Sequence, residues 1–183
     1  LAGLIDVKSQ YTAYHSANVA ELSWMVAELF GCPGGHLETI RTAGWLHDIG
    51  KVAIPGAILD KPGRLNPDEM SIMRKHSLYT GEILGRINAF IPEVAPWARG
   101  HHERLDGTGY PFGLQAAGLP LEARILSASD MFDALTSDRS YRKGMEVEAS
   151  LDLMSRSCEA TFGRDVFEAT RECVPKFLAG RRL

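Results

Sequence analysis

The sequence is short of cysteine, of long apolar runs and of alternating strand patterns, and each shortage argues against a class of protein. Its three cysteines, Cys32, Cys158 and Cys173, are odd in number, far apart and never paired as Cys-x-x-Cys. That argues against a disulfide-built scaffold or a thiolate zinc site and for a reducing compartment, the cytoplasm. No apolar stretch approaches the roughly 18 residues that a membrane-spanning helix needs, and no signal peptide is visible at the start. A net charge of −3 gives no reason to expect nucleic acid or an anionic membrane as the main partner, although Arg139, Arg142 and Lys143 form a local basic cluster suited to an anion. What remains is ordinary globular material. With 183 residues, 45% hydrophobic and 23% charged, the chain can bury one substantial core. It begins at Leu1, so we expect a module excised from a longer protein.

Helical periodicity fills most of the chain. Val19, Leu22, Val26 and Leu29 recur at helical spacing before Gly31, Pro33, Gly34 and Gly35 break the pattern. Leu37 to Ile49 predicts a second helix ended by Gly50 in a left-handed position. Asn66-Pro67-Asp68-Glu69 reads as an N-cap, a first-turn proline and a capping acid, opening a helix through His76 and Ile83 towards Ile87. Val94–Glu103, Leu121–Leu135, Glu146–Cys158 and Asp165–Leu178 supply the rest, the last interrupted or bent near Pro175. The expected architecture is all-α, a single helical bundle with functional loops.

The informative residues are the six histidines, His15, His36, His47, His76, His101 and His102, and the run HHERLDGTGYP at 101 to 111. Adjacent helical side chains point about 100° apart, so His101 and His102 can approach one site from two directions. HDIGK at 47 to 51 together with HHERLDGTGYP resembles the two signature motifs of the HD-GYP family, the cyclic-dinucleotide phosphodiesterase branch of the HD metal-dependent phosphohydrolases. HSANVA at 15 to 20, KPGRL, MRKHSLYTG and ARILSASDMFDALTSDRSYRK are similar as well, and the likeness runs from about Asp6 to Phe167. It implies that residues 1–183 form one HD-domain bundle.

By that resemblance the metal ligands are His15, His47, Asp48, His76, His101, His102 and Asp130, while His36 is left over as a surface or capping residue. Asp48 would bridge two ions, His15, His47 and Asp130 completing one and His76, His101 and His102 the other. Imidazole and carboxylate without thiolate suit divalent Fe or Mn. Asp48 and Lys51 would be the catalytic groups, with Lys51, Tyr110, Arg139 and Arg142 contacting substrate. Glu103 is expected to orient a histidine or a water, Asp106-Gly107 and Gly109 to shape the turn, and Arg124 and Asp133 to serve as scaffold, Asp133 with a positioning role open to it.

Some members of the family carry a glutamate four residues before the first ligand histidine, and an acid often precedes that by two; here those positions hold Tyr11 and Ser9. A phenol is a poor ligand at neutral pH, its pKa being about 10, so two ions rather than three are expected. The implied activity is hydrolysis of cyclic di-GMP, mainly to linear pGpG. The alternatives are another cyclic dinucleotide such as cyclic GMP-AMP, a nucleotide phosphate, or an inactive sensor or docking domain. Implied partners are a diguanylate cyclase or an upstream sensory or receiver domain.

Overall fold

The computed structural model describes residues 14–86, 92–138 and 143–181. Its longer helices are α1 (His15–Leu29), α2 (Gly34–Leu46), α3 (Pro67–Arg74), α4 (His76–Gly85), α5 (Val94–Arg99), α6 (Leu121–Thr136), α7 (Val147–Thr161) and α8 (Arg164–Gly180). Among the described residues the only β feature is an isolated bridge between Asp106 and Gln115. No described helix is long and apolar enough to cross a membrane.

The all-α expectation holds, and the apolar spacing explains it. Val19, Leu22 and Val26 turn one face of α1 inward against Ile40 of α2 and Ile125, Leu126 and Phe132 of α6, with Met154, Phe162 and Phe177 closing the core from α7 and α8. Leu29 leaves that face, 48% exposed, where α1 ends just before Gly31 turns the chain at φ 75°. Cys158 and Cys173 behave as core residues, and all three thiols are free. Pro175 is accommodated inside α8, which runs unbroken to Gly180.

Several helix boundaries depart from the sequence reading, and the helix expected over Val94–Glu103 already ends at Arg99. The Asn66 capping box forms as expected, its Oδ1 accepting from the Glu69 amide while Glu69 accepts from the Asn66 amide. The helix it opens stops at Arg74, however, and α4 begins afresh at His76. The second helix ends at Leu46 and passes into a 3-10 turn, Ile49–Ala53. Gly50 is therefore no left-handed cap. Its role is close approach: a Cβ there would lie 2.0 Å from the His76 carbonyl oxygen and 2.5 Å from the Thr80 amide. The contact is sealed by Thr80, whose Oγ1 accepts from the Gly50 amide at 2.9 Å and donates to the His47 carbonyl at 3.0 Å. The turn carrying Asp48 is thus locked onto the start of α4.

Candidate metal centre

Three of the histidines sit at helix ends, and one local device orients them all. His47 follows α2, His76 opens α4, and His101 lies just past α5. Each folds its ring back so that Nδ1 meets the carbonyl three residues upstream: Gly44 at 2.8 Å, Met73 at 2.8 Å and Ala98 at 2.6 Å. A carbonyl only accepts, so Nδ1 must carry the proton and Nε2 is left as a lone-pair donor aimed the other way. His15, at the start of α1, is oriented by a different route, its Nδ1 lying 2.8 Å from Asp133 Oδ2.

These Nε2 atoms converge on Asp48. Its Oδ2 lies 3.3 Å from His47 Nε2 and 3.7 Å from His15 Nε2, while Oδ1 lies 3.3 Å from His76 Nε2 and 4.0 Å from His101 Nε2. The carboxylate therefore addresses two groups of imidazoles with two different oxygens. Asp130 on α6 joins the first group, its Oδ1 being 3.3 Å from His15 Nε2 and 3.9 Å from His47 Nε2. His102 joins the second: ligand atoms of His76, His101 and His102 all fall within 4.8 Å of one another, as do those of His15, His47 and Asp48. His47 Nε2, His101 Nε2 and Asp48 Oδ1 are buried without a hydrogen bond. Each such atom costs about 1–3 kcal/mol unless something pairs it, and three around one point fit divalent cations.

The electrostatics match that reading. Burial opposes ionisation of Asp48, but Lys51 and His47 outweigh it and hold its carboxyl well below the usual range. Asp130 behaves alike, burial being overcome chiefly by its hydrogen bond to His15. Burial pushes His101 well below its ordinary value, lowers His76, and brings His102 down to about 3. His15 goes the other way. Burial disfavours its charge, yet Asp130 and Asp133 together raise it to about 9.

Other expected residues divide. Lys51 donates from Nζ to Asp48 Oδ2, so it stands at the centre. The Tyr110 ring lies 4.7 Å from that of His102, centroid to centroid, at an interplanar angle of 32°. Arg139, Arg142, Tyr11 and Ser9 lie outside the described residues.

Among the described residues Glu103 makes no hydrogen bond to a histidine. Fully buried, it accepts from the amides of Phe112 and Leu114 at 2.7 and 2.9 Å, and so pins the loop that carries Tyr110. Asp106 shapes the turn as expected, accepting from the Thr108 amide and hydroxyl, with Gly107 at φ 77°. Arg124 is scaffold: it ties α6 to the Phe162 carbonyl and to Asp165 of α8. His36 is more than a leftover, since its Nε2 meets Glu122 Oε1 at 2.7 Å and its ring packs beside Trp97.

The sequence reading missed two arginines. Arg74 places its guanidinium 5.2 Å from the Tyr110 ring centroid. Arg181, beyond α8, donates to Asp133 Oδ1 at 2.7 Å. MRKHSLYTG held a signal for Arg74, two residues before a candidate ligand histidine; for Arg181 the sequence held none.

A family model described as HD domain matches residues 1–166. The chain is 37% identical over 171 residues to 3'3'-cGAMP-specific phosphodiesterase 3 of Vibrio cholerae, covering 93% of this chain and 37% of that one. It is 40% identical over 182 residues to the cyclic di-GMP phosphodiesterase response regulator RpfG of Xanthomonas campestris pv. campestris, covering 99% and 46%. The chain thus spans less than half the length of these curated relatives. Among solved structures, the HDG"Y"P protein Bd1817 of Bdellovibrio bacteriovorus superposes with a TM-score of 0.74 at 19% identity, over 92% of this chain and 53% of that one, a likeness of fold.

Proposed function

The chain belongs to the HD domain family, and from that premise we propose that it is a metal-dependent phosphodiesterase that hydrolyses a cyclic dinucleotide, cyclic di-GMP first, mainly to linear pGpG. One observation carries the reading: Asp48 turns Oδ2 to His15 and His47 and Oδ1 to His76 and His101, with unpaired buried atoms on both sides. In this assignment His15, His47, Asp48 and Asp130 would hold one divalent ion, and Asp48, His76, His101 and His102 would hold the other, Fe or Mn by donor chemistry. Such a pair supplies, when bound, an activated water and a Lewis-acidic grip on a phosphodiester.

The chain's own groups do the rest. The hydrogen bonds on Nδ1 fix the imidazoles before any ligand arrives, so no reorientation is needed at the moment of reaction. The Lys51 ammonium, already beside Asp48, can transfer its hydrogen bond to a non-bridging phosphate oxygen as charge grows there. Burial raises the Tyr110 phenol further above its usual range, so it stays protonated and able to donate to a phosphate. Arg74, stacked on that ring and exposed, extends the cationic side of the mouth. Arg139 and Arg142 are assigned to the second phosphate.

The relatives' names divide between cyclic di-GMP and 3'3'-cGAMP, so both belong in the assay. The chain is loaded anaerobically with Fe(II) or Mn(II), supplied with each dinucleotide, and followed by chromatography beside Asp48→Ala. Turnover of cyclic di-GMP that vanishes in the variant, with pGpG ahead of GMP, is expected. A fully loaded protein that turns over neither substrate would leave the sensor or docking role in its place.

A further inference from the structure

Asp133 does not face the candidate ions, yet it is fully buried and crowded with partners. Its Oδ2 lies 2.8 Å from His15 Nδ1 and 3.2 Å from Ser137 Oγ, which donates to it; its Oδ1 accepts from Asn18 Nδ2 at 3.0 Å and from Arg181 Nη2 at 2.7 Å. The same Arg181 nitrogen donates to Ser137 Oγ at 2.8 Å. The Arg181 side chain is only 7% exposed and its guanidinium lies over the Phe177 ring, 5.8 Å from the centroid. It is a buried arginine brought in by α8, the last helix, against a carboxylate of α6 that holds a histidine of α1.

A buried aspartate with one partner can turn about its terminal torsion, which is broad. This one has four partners, and the charge-assisted bond from Arg181 is the strongest that holds Oδ1 in place and so leaves Oδ2 on His15. The ring of His15 is thereby held with Nε2 towards Asp48 and Asp130, the task the backbone carbonyls perform for His47, His76 and His101. We propose that Arg181 is a positioning residue for one half of the centre: it clamps Asp133, and through Asp133 it sets His15 for the ion shared with His47 and Asp130. The inference rests on the metal-centre reading above and goes beyond it, since it makes the two ions separately adjustable and gives α8 a part in only one of them.

The test is a Mn(II) titration of the chain, followed by electron paramagnetic resonance and total metal analysis, for wild type, Arg181→Ala, Arg181→Lys and Phe177→Leu. Loss of a partner that orients a metal-bound histidine weakens metal binding by about 10–100-fold. Arg181→Ala is therefore expected to weaken one ion by roughly tenfold or more and leave the other at its wild-type affinity, so that a single-ion spectrum replaces that of the pair at limiting Mn(II). Arg181→Lys should restore most of the loss, because one nitrogen makes both contacts and an ammonium can replace it. Phe177→Leu removes the ring that backs the Arg181 guanidinium and loosens α8, so it should weaken the same ion, by less than Arg181→Ala does, and spare the other.

Two ions bound with wild-type affinity in Arg181→Ala would overturn the proposal, and so would equal weakening of both. A wild-type chain that binds no Mn(II) or Fe(II) would instead remove the metal-centre reading, and the inference with it. Should Arg181→Ala fail to fold, Arg181→Met, which keeps the packing against Phe177 and removes the donor, decides the matter, a selective weakening of one ion supporting the clamp and unchanged binding refuting it.

Discussion

Replacing Gly50 by alanine adds a single methyl group at the seam between the turn that carries Asp48 and the helix that carries His76. That methyl would start 2.0 Å from the His76 carbonyl oxygen, 2.5 Å from the Thr80 amide and 2.8 Å from Thr80 Oγ1. A carbon–oxygen contact relaxes at about 3.3 Å or beyond, so turn and helix must part by on the order of 1 Å. The obstacles include backbone atoms at the first turn of α4, which have no free rotamer to retreat into. Overpacking of this kind costs about 1–3 kcal/mol. In a domain of this size that is a fall in melting temperature of about 2–12 °C, at roughly 2–4 °C per kcal/mol. Asp48 Oδ1 and His76 Nε2, 3.3 Å apart, face each other across the same seam. The displacement should therefore weaken the ion shared by Asp48 and His76 and, if the chain is the proposed phosphodiesterase, lower turnover by about 100-fold. Thermal melts with and without Mn(II), beside a turnover assay, measure both effects. Gly35→Ala is the control, because its Cβ would meet nothing within 4 Å. If Gly50→Ala melted and bound metal like wild type, the seam would be compliant and the close approach would have no part in setting the site.

The elevated His15 pKa gives a prediction with a definite sign. Its value of about 9 lies above the ordinary histidine value of about 6.5, so in the metal-stripped chain its contribution to stability is fully present below about pH 6.5 and is lost as pH rises through about 9. Melting temperature after chelation should fall across that window, whereas Mn(II) affinity should climb across it, because the cation must displace the proton from Nε2; affinity independent of pH between 7 and 9 would refute this. Glu103→Gln leaves one of the Phe112 and Leu114 amides facing an NH2 group in a buried site. The expected loss is about 1–3 kcal/mol, seen as a lower denaturant midpoint at unchanged slope, and a midpoint within error of wild type would show that the loop holds without it. If the chain is the proposed phosphodiesterase, Arg74→Ala should raise KM for the dinucleotide several-fold with kcat nearly unchanged; a fall in kcat at constant KM would argue that the arginine acts on the reacting phosphate instead.

The parts of the fold that a sequence exposes are those whose cause is local. Asn66, Pro67 and Glu69 form a capping box from atoms within three residues of one another, and the expectation and the structure agree there. The all-α architecture followed from the inward spacing of Val19, Leu22 and Val26, which needs no partner to be recognised. Gly50 failed as a local reading for a physical reason. A glycine is required either by a positive φ or by a neighbour too close for a Cβ, and here the neighbour is the His76 carbonyl, which no window around Gly50 contains. Glu103 likewise escapes a local reading, since its two carboxylate oxygens accept from amides nine and eleven residues further along the chain.

The candidate centre shows the same division within single residues. For His47, His76 and His101 the orienting acceptor lies three positions upstream, so the whole device is written into each helix end and survives any rearrangement that spares that turn. His15 is held instead by a side chain of another helix. Its orientation depends on Asp133, 118 residues away, and Asp133 depends on Arg181, a further 48. A histidine held by its own helix is set as soon as that helix forms. One held through a chain of three side chains is set only when α1, α6 and α8 have docked, so its half of the centre should be the last to acquire metal on folding and the first to lose it when α8 loosens.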